Sequence, residues 1–136
     1  MNRPNTFLYT LVLLFIAFSI SSCDKEKQQN RDEEQLEQLY AKIKGLAESS
    51  TCDGTSDNQL KFTAIGASPC GGPSHYLAHS TSINVKEFES LVKRYTAMQN
   101  SYNKKWNVAG TCEIVIAPSG TKCENGKPVL VYATYN

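Results

Sequence analysis

Hydrophobic positions change period several times along this chain, and each period predicts a different element. FLYTLVLLFIAFSI, Phe7 to Ile20, is a continuous apolar run. The next segment, DKEKQQNRDEE from Asp24 to Glu34, contains no apolar residue and reads as a solvated tether. RDEEQLEQLYAKIKGLAES then places Leu36, Leu39, Tyr40, Ile43 and Leu46 at i, i+3, i+4, i+7 and i+10, one face of an amphipathic helix ending near Ser49-Ser50. Its acidic start and its later lysines suit the helix dipole. SSTCDGTSDNQ reads as a loop by composition. LKFTAIG, Leu60 to Gly66, alternates Leu60, Phe62 and Ala64 against Lys61, Thr63 and Ile65, which predicts a strand, and HYLAHS, His75 to Ser80, predicts the next.

A second helix is expected from Val85 to about Asn103. Asn84 is a suitable N-cap, Glu87 completes a capping box, and Ile83 can staple against Phe88. Phe88, Leu91, Val92, Tyr95, Met98 and Tyr102 line one face of it. The tail is β-rich. CEIVIA, Cys112 to Ala117, is a short apolar run bounded by Pro118-Ser119-Gly120, and it reads as a strand. Asn125-Gly126 signals a hairpin, and VLVYATY supplies β-branched and aromatic residues after Pro128. Thr121 to Cys123 has room for an extra short strand. The expected class is α+β: two helices and a small, mainly antiparallel sheet in the order α-β-β-α-β-β.

The first apolar run holds fourteen residues, and a membrane-crossing helix needs about 20. With Arg3 before it and Ser21-Ser22 after it, residues 1–22 read as a secretory signal peptide; the competing reading is an uncleaved anchor helix. Ile20-Ser21-Ser22-Cys23 resembles a bacterial lipobox. The resemblance implies cleavage before Cys23 and a thioether-linked lipid on it, so that Cys23 carries acyl chains, palmitate among them. Each buried methylene contributes about 0.8 kcal/mol, and stable anchoring takes more than one chain. The implied organisation is a signal peptide at 1–22, a lipidated cysteine and tether at 23–34, and one α+β domain at 35–136. Asp24 resembles an inner-membrane retention signal of enteric bacteria, whereas Lys25-Glu26 partly fits the outer-membrane or surface signal of the Bacteroidetes type. The expected address is the cell envelope, at the outer membrane facing periplasm or cell surface.

Composition narrows the partners. The 136-residue chain has 14 basic and 13 acidic residues, and losing Arg3 with the leader leaves thirteen of each. That balance argues against nucleic acid, whose binding rests on basic surfaces. Beyond Cys23, the cysteines Cys52, Cys70, Cys112 and Cys123 read as two disulfides in an exported chain. Cys52–Cys70 and Cys112–Cys123 are favoured because each pair flanks a local segment; the crossed pairings stay open.

The candidate chemistry is sparse. Cys52, Cys70, His75 and His79 could be taken for a zinc set. On a strand, however, His75 and His79 stand about 13 Å apart, too far to share one ion. Pairing of all four thiols leaves no cysteine nucleophile, no G-x-S-x-G elbow occurs, and the carboxylates have no common seat. Neither enzyme activity nor a metal or other cofactor is expected. SPCGGPS is the most unusual string: Gly71, Gly72 and Pro73 could bring backbone close to a partner, against the plainer role of a tight turn at a disulfide. Trp106, beside Lys104-Lys105, is the better aromatic candidate for a binding surface, since Tyr95 and Tyr102 lie on the apolar stripe.

FTAIGASPCGGPSHYLAHS, the helix end MQNSYNKKW and CEIVIAPSGTKCENGKPVLVY together resemble small cysteine-containing lipoproteins of the Bacteroidetes type, over most of residues 52–132. That group is uncharacterised. It implies an envelope lipoprotein and carries no catalytic or binding residue across. The expected function is therefore a membrane-anchored, non-enzymatic protein-binding module, in its sharpest form an inhibitor or immunity protein. The alternative is a structural subunit of an envelope assembly, and an enzyme ranks behind both.

Overall fold

The first helix, α1 at Thr6–Ser49, begins far upstream of the amphipathic stretch. In the computed structural model, residues 24–54, 59–110 and 112–134 are described in full, and residues 6–23 as backbone only. The lipobox side chains, Ile20 to Cys23, and the leader before them therefore lie outside the described residues, as does part of the loop expected after Ser50. Asp24 to Glu34, expected as a tether, is helical. The reason is its composition, Lys, Glu, Gln and Arg without glycine or proline, all good helix formers. A helical stretch of eleven residues rises about 16 Å, where the extended chain would reach about 35 Å.

From Gln35 onward the chain forms one compact unit. Its core takes Leu36, Ile43 and Ala47 from α1, and Leu39, Tyr40 and Leu46 pack against them. The helix ends where Ser49 Oγ and Ser50 Oγ donate to the carbonyls of Leu46 and Ala47, at 2.7 and 2.6 Å. Lys127 reaches the same end from the far side of the sequence, its Nζ donating to Glu48 O at 2.8 Å and Ser50 O at 3.2 Å. Those late carbonyls have no helical partner of their own, so a cation there satisfies them and the dipole together.

Strand β1, Leu60–Ile65, pairs antiparallel with β2, His75–Ser80, in a register that sets Ile65 opposite His75 and Leu60 opposite Ser80. Ile65 is buried, and Leu77 on the same face packs against the helical core. Phe62 lies on the other, more exposed face, edge-on to Tyr76 with 6.0 Å between ring centroids. Helix α2, Val85–Lys105, starts as its sequence predicts: Asn84 Oδ1 accepts from Glu87 N at 3.2 Å. Phe88, Val92 and Tyr95 are buried along it, and Ile83 packs on the core beside them.

The Asn125-Gly126 turn forms with φ of 51° and 77°, the two left-handed conformations of a two-residue hairpin. It joins β3, Gly120–Glu124, to β4, Lys127–Val131. The strand order α-β-β-α-β-β is thus present, as two two-stranded ribbons rather than one sheet. Strand β1 lies beside β3 and β2 beside β4.

Two expectations are corrected in this tail. CEIVIA is not the third strand: residues 112–118 carry no helix, strand, turn or bend. The turn sets the register, pairing Glu124 with Lys127 and Gly120 with Val131. Whatever precedes Ser119, whose N–H still reaches Val131 O at 2.8 Å, lies beyond the end of β4. Apolarity loses to turn geometry. The disulfides are also a nested set, Cys52–Cys123 with Cα atoms 5.8 Å apart and Cys70–Cys112 at 5.3 Å, not Cys52–Cys70 and Cys112–Cys123. The end of α1 lies against the second hairpin, where Cys52 N donates to Gly126 O at 3.0 Å. The chain leaving α2 meets the β1–β2 loop, where Gly110 closes on the Pro69 ring. The bridges span 71 and 42 residues, and loops of that length are worth about 4 kcal/mol each in the chain-entropy view.

Candidate functional site

The β1–β2 connection, Gly66 to Ser74, is the string the sequence singles out, and α2 holds it from one side. Thr96, Gln99 and Asn103 are spaced i, i+3 and i+7, one polar row along the helix. Thr96 Oγ1 accepts from Gly66 N at 3.1 Å, Gln99 Oε1 from Ala67 N at 2.7 Å, and Asn103 Nδ2 donates to Ala67 O at 2.8 Å. Inside the loop, Ser68 N donates to Gly72 O at 2.9 Å and Gly71 N to Ser68 O at 3.0 Å. Gly66, at φ 78°, has no room for a side chain, because a Cβ would strike Ser74 Oγ and Gln99 Oε1.

The tip is different. Gly71 and Gly72 take φ of 98° and 78°, are exposed, and have open space where a Cβ would stand. Beside them a cleft of about 570 Å³ opens between loop and helix, lined by Ala64, Gly72, Pro73, Lys93, Thr96 and Asn100. Lys93 and Asn100 are exposed at its wall. The arrangement combines a protrusion held at its base, an open recess and the exposed Lys93 at its wall. Cys70 and Cys112 are both exposed, and their bond anchors the segment 112–117 to this loop.

Of the sequence candidates, Gly71, Gly72 and Pro73 therefore share one face. Trp106 stands at the C-cap of α2, half-buried, its N–H donating to Tyr102 O at 2.9 Å and Lys105 Nζ lying 4.7 Å from its ring centroid. The cleft is lined from the middle of that helix, not from this end. Lys93, Thr96, Gln99, Asn100 and Asn103 were not singled out by sequence reasoning. The polar row beside the apolar stripe of α2 was the available signal.

Both histidines stand on the core-facing side of β2. His79 is buried, its Nε2 2.9 Å from Thr63 Oγ1 and its ring 4.5 Å from that of Phe88. His75 Nδ1 lies 3.0 Å from Ser74 Oγ, and its ring stands perpendicular to that of Tyr40 with centroids 4.9 Å apart. Burial holds both imidazoles below the ordinary histidine pKa. For His79, Lys61 adds to that, while the Ser80 carbonyl and Glu89 oppose it. Ser74 and His75 have the spacing of a serine–base pair, but the Ser74 hydroxyl also faces Ile65 O at 3.0 Å and Gln99 Oε1 at 3.2 Å, neither of which can donate. These two acceptors compete with His75 Nδ1 for the single Ser74 proton, so the hydroxyl is not committed to the imidazole as a serine–base pair requires. His75 Nε2 is left buried with no hydrogen-bond partner among the described residues; a bare lone pair there is less costly than an orphaned N–H.

Among the described residues no group of three His, Cys, Asp or Glu side chains is arranged to hold a metal ion, and no helix is long and apolar enough to cross a membrane. No protein-family model matches this chain, and neither the curated proteins nor the solved structures contain a significant match.

Proposed function

We propose that the chain is a non-enzymatic protein-binding module, held at the cell envelope by acyl chains on Cys23, which engages its partner with the Gly71-Gly72-Pro73 tip and the cleft behind it. One observation carries this reading: the loop is fixed through its shoulders by α2 and a disulfide while its glycine tip is left exposed. Fixing a protrusion in advance removes the ordering cost that weakens flexible binders. The same geometry suits an inhibitor or immunity protein, whose loop enters a cleft of the target and whose Lys93 meets an acidic rim.

Chemical cross-linking of the full chain in intact membranes, followed by mass spectrometry, tests the binding role. One stoichiometric partner is expected, with capture lost on combining Lys93→Glu with Asn100→Arg. Equal capture by that variant would remove the cleft from the proposal, and no partner above background would remove the module. The intact mass tests the anchor separately. A chain beginning at acylated Cys23 is expected, and one retaining residues 1–22 without acyl chains overturns lipidation.

A further inference from the structure

Residues 113–117, Glu-Ile-Val-Ile-Ala, form a β-prone run of the tail that neither ribbon takes up. Ile114 is 90% exposed, Ile116 66% and Val115 37%. Among the described residues, no hydrogen bond engages the backbone from Glu113 to Ala117. The run is straight enough to carry no bend, and both of its ends are held. Cys112 is tied to Cys70, and Ser119 N is bonded to Val131 O. Unpaired backbone next to exposed isoleucines is an open template for another strand.

We infer that residues 113–117 pair antiparallel with the same segment of a second copy, about a two-fold axis through Val115, to make a symmetric dimer. The occupant follows from the sequence of the run. Ile114-Val115-Ile116 reads the same in both directions. Antiparallel pairing about Val115 sets Val115 against its copy and each Ile114 against the other chain's Ile116, β-branched residues that pack well across strands. Glu113 then faces Ala117, so no like charges stand opposite. The left-handed backbone of Cys112, φ 54°, and Pro118, which has no N–H, bound the pairing to five residues. A two-fold contact of this kind closes on itself and gives a dimer rather than a fibre. The inference does not depend on the cleft or on the identity of any other partner.

Register-specific cysteine pairing in the full-length chain, purified in detergent, tests it. Under mild oxidation Val115→Cys should form an intermolecular disulfide rapidly, because it lies opposite its own copy. Ile114→Cys alone should form it slowly, and a mixture of Ile114→Cys with Ile116→Cys should recover the rapid rate. Peptide mapping confirms that Cys52–Cys123 and Cys70–Cys112 stay paired. Val115→Pro breaks no hydrogen bond of the single chain among the described residues, so its thermal unfolding should stay unchanged while self-association weakens by about tenfold or more, from the loss of up to two interchain hydrogen bonds, one from each copy. Slow cross-linking of Val115→Cys, or equal rates for Val115→Cys and Ile114→Cys, overturns the pairing. In a parallel oxidation of intact membranes, preferential cross-linking of Val115→Cys to a different protein overturns the second copy as its occupant.

Discussion

The loop Gly66–Ser74 and the segment 112–117 are both irregular, both polypeptide without a sheet or helix, and one disulfide joins them. They satisfy their backbones in opposite ways. The loop's shoulders are bonded by three side chains of α2, and its interior by its own turn. The segment's N–H and C=O groups meet no partner among the described residues, although its side chains are the more hydrophobic. In these two segments the backbone is fixed where hydrogen-bond partners are supplied, not where the side chains are apolar. A polar string with partners is fixed, and an apolar string beyond the end of its hairpin is left open.

The largest expected effect distinguishes the two bridges. Changing Cys52 and Cys123 to serine should cost about 4 kcal/mol by denaturant unfolding, because that bridge ties the end of α1 to the second hairpin and Cys52 is buried. Changing Cys70 and Cys112 to serine should cost clearly less, since Thr96, Gln99 and Asn103 still hold the loop; equal losses would show that the clamp contributes little. Gly66→Ala comes next. It adds a left-handed strain of about 1 kcal/mol and a steric clash, so it should lower stability by about 2 kcal/mol or more. Gly72→Ala meets open space and should cost only about 1 kcal/mol.

Gln99→Ala should destabilise by about 1–3 kcal/mol, by leaving Ala67 N without its acceptor, and should speed hydrogen exchange at that amide. Acid should act on the domain through its histidines. Their folded pKa values lie below the unfolded value of about 6.5, so the unfolded chain binds more protons as pH drops. Stability from this source is complete above about pH 6.5 and declines as pH falls toward the folded values. His79→Gln should flatten that decline, and an unchanged slope would assign it to other groups. The smallest effect belongs to the open segment: Ile116→Thr should shift unfolding of the single chain by less than about 0.5 kcal/mol.

The elements that local rules govern were legible in the sequence. Asn84 and Glu87 marked the start of α2, Asn125-Gly126 marked the second hairpin, and the spacing of Leu36, Leu39, Tyr40, Ile43 and Leu46 marked the face of α1 that meets the core, though not Ala47. Competition between rules was harder to read. The apolar run at Ile114 outscored Gly120–Glu124 as a strand, yet the turn's register chose the latter. The polar stretch after Cys23 read as a tether because its lack of apolar residues hid its helix-forming composition. The disulfides depended on which distant segments meet, which the spacing of four cysteines does not encode. Of the site, the glycine tip was visible as a string, but Thr96, Gln99 and Asn103 became meaningful only once the loop lay along their row.

The nesting of the two bridges, one enclosing the other, bears on how the chain matures. Cys52 and Cys70 are the first of the four to leave the ribosome, and they are not partners. Oxidation in order of appearance would join them and lock the end of α1 to the wrong hairpin. The correct partner of Cys52 arrives last, with β3. Escape from the early mistake requires thiolate attack and exchange, a step slow enough to limit the yield of folded protein. A cell making this domain in quantity therefore needs a disulfide isomerase more than it needs an oxidant.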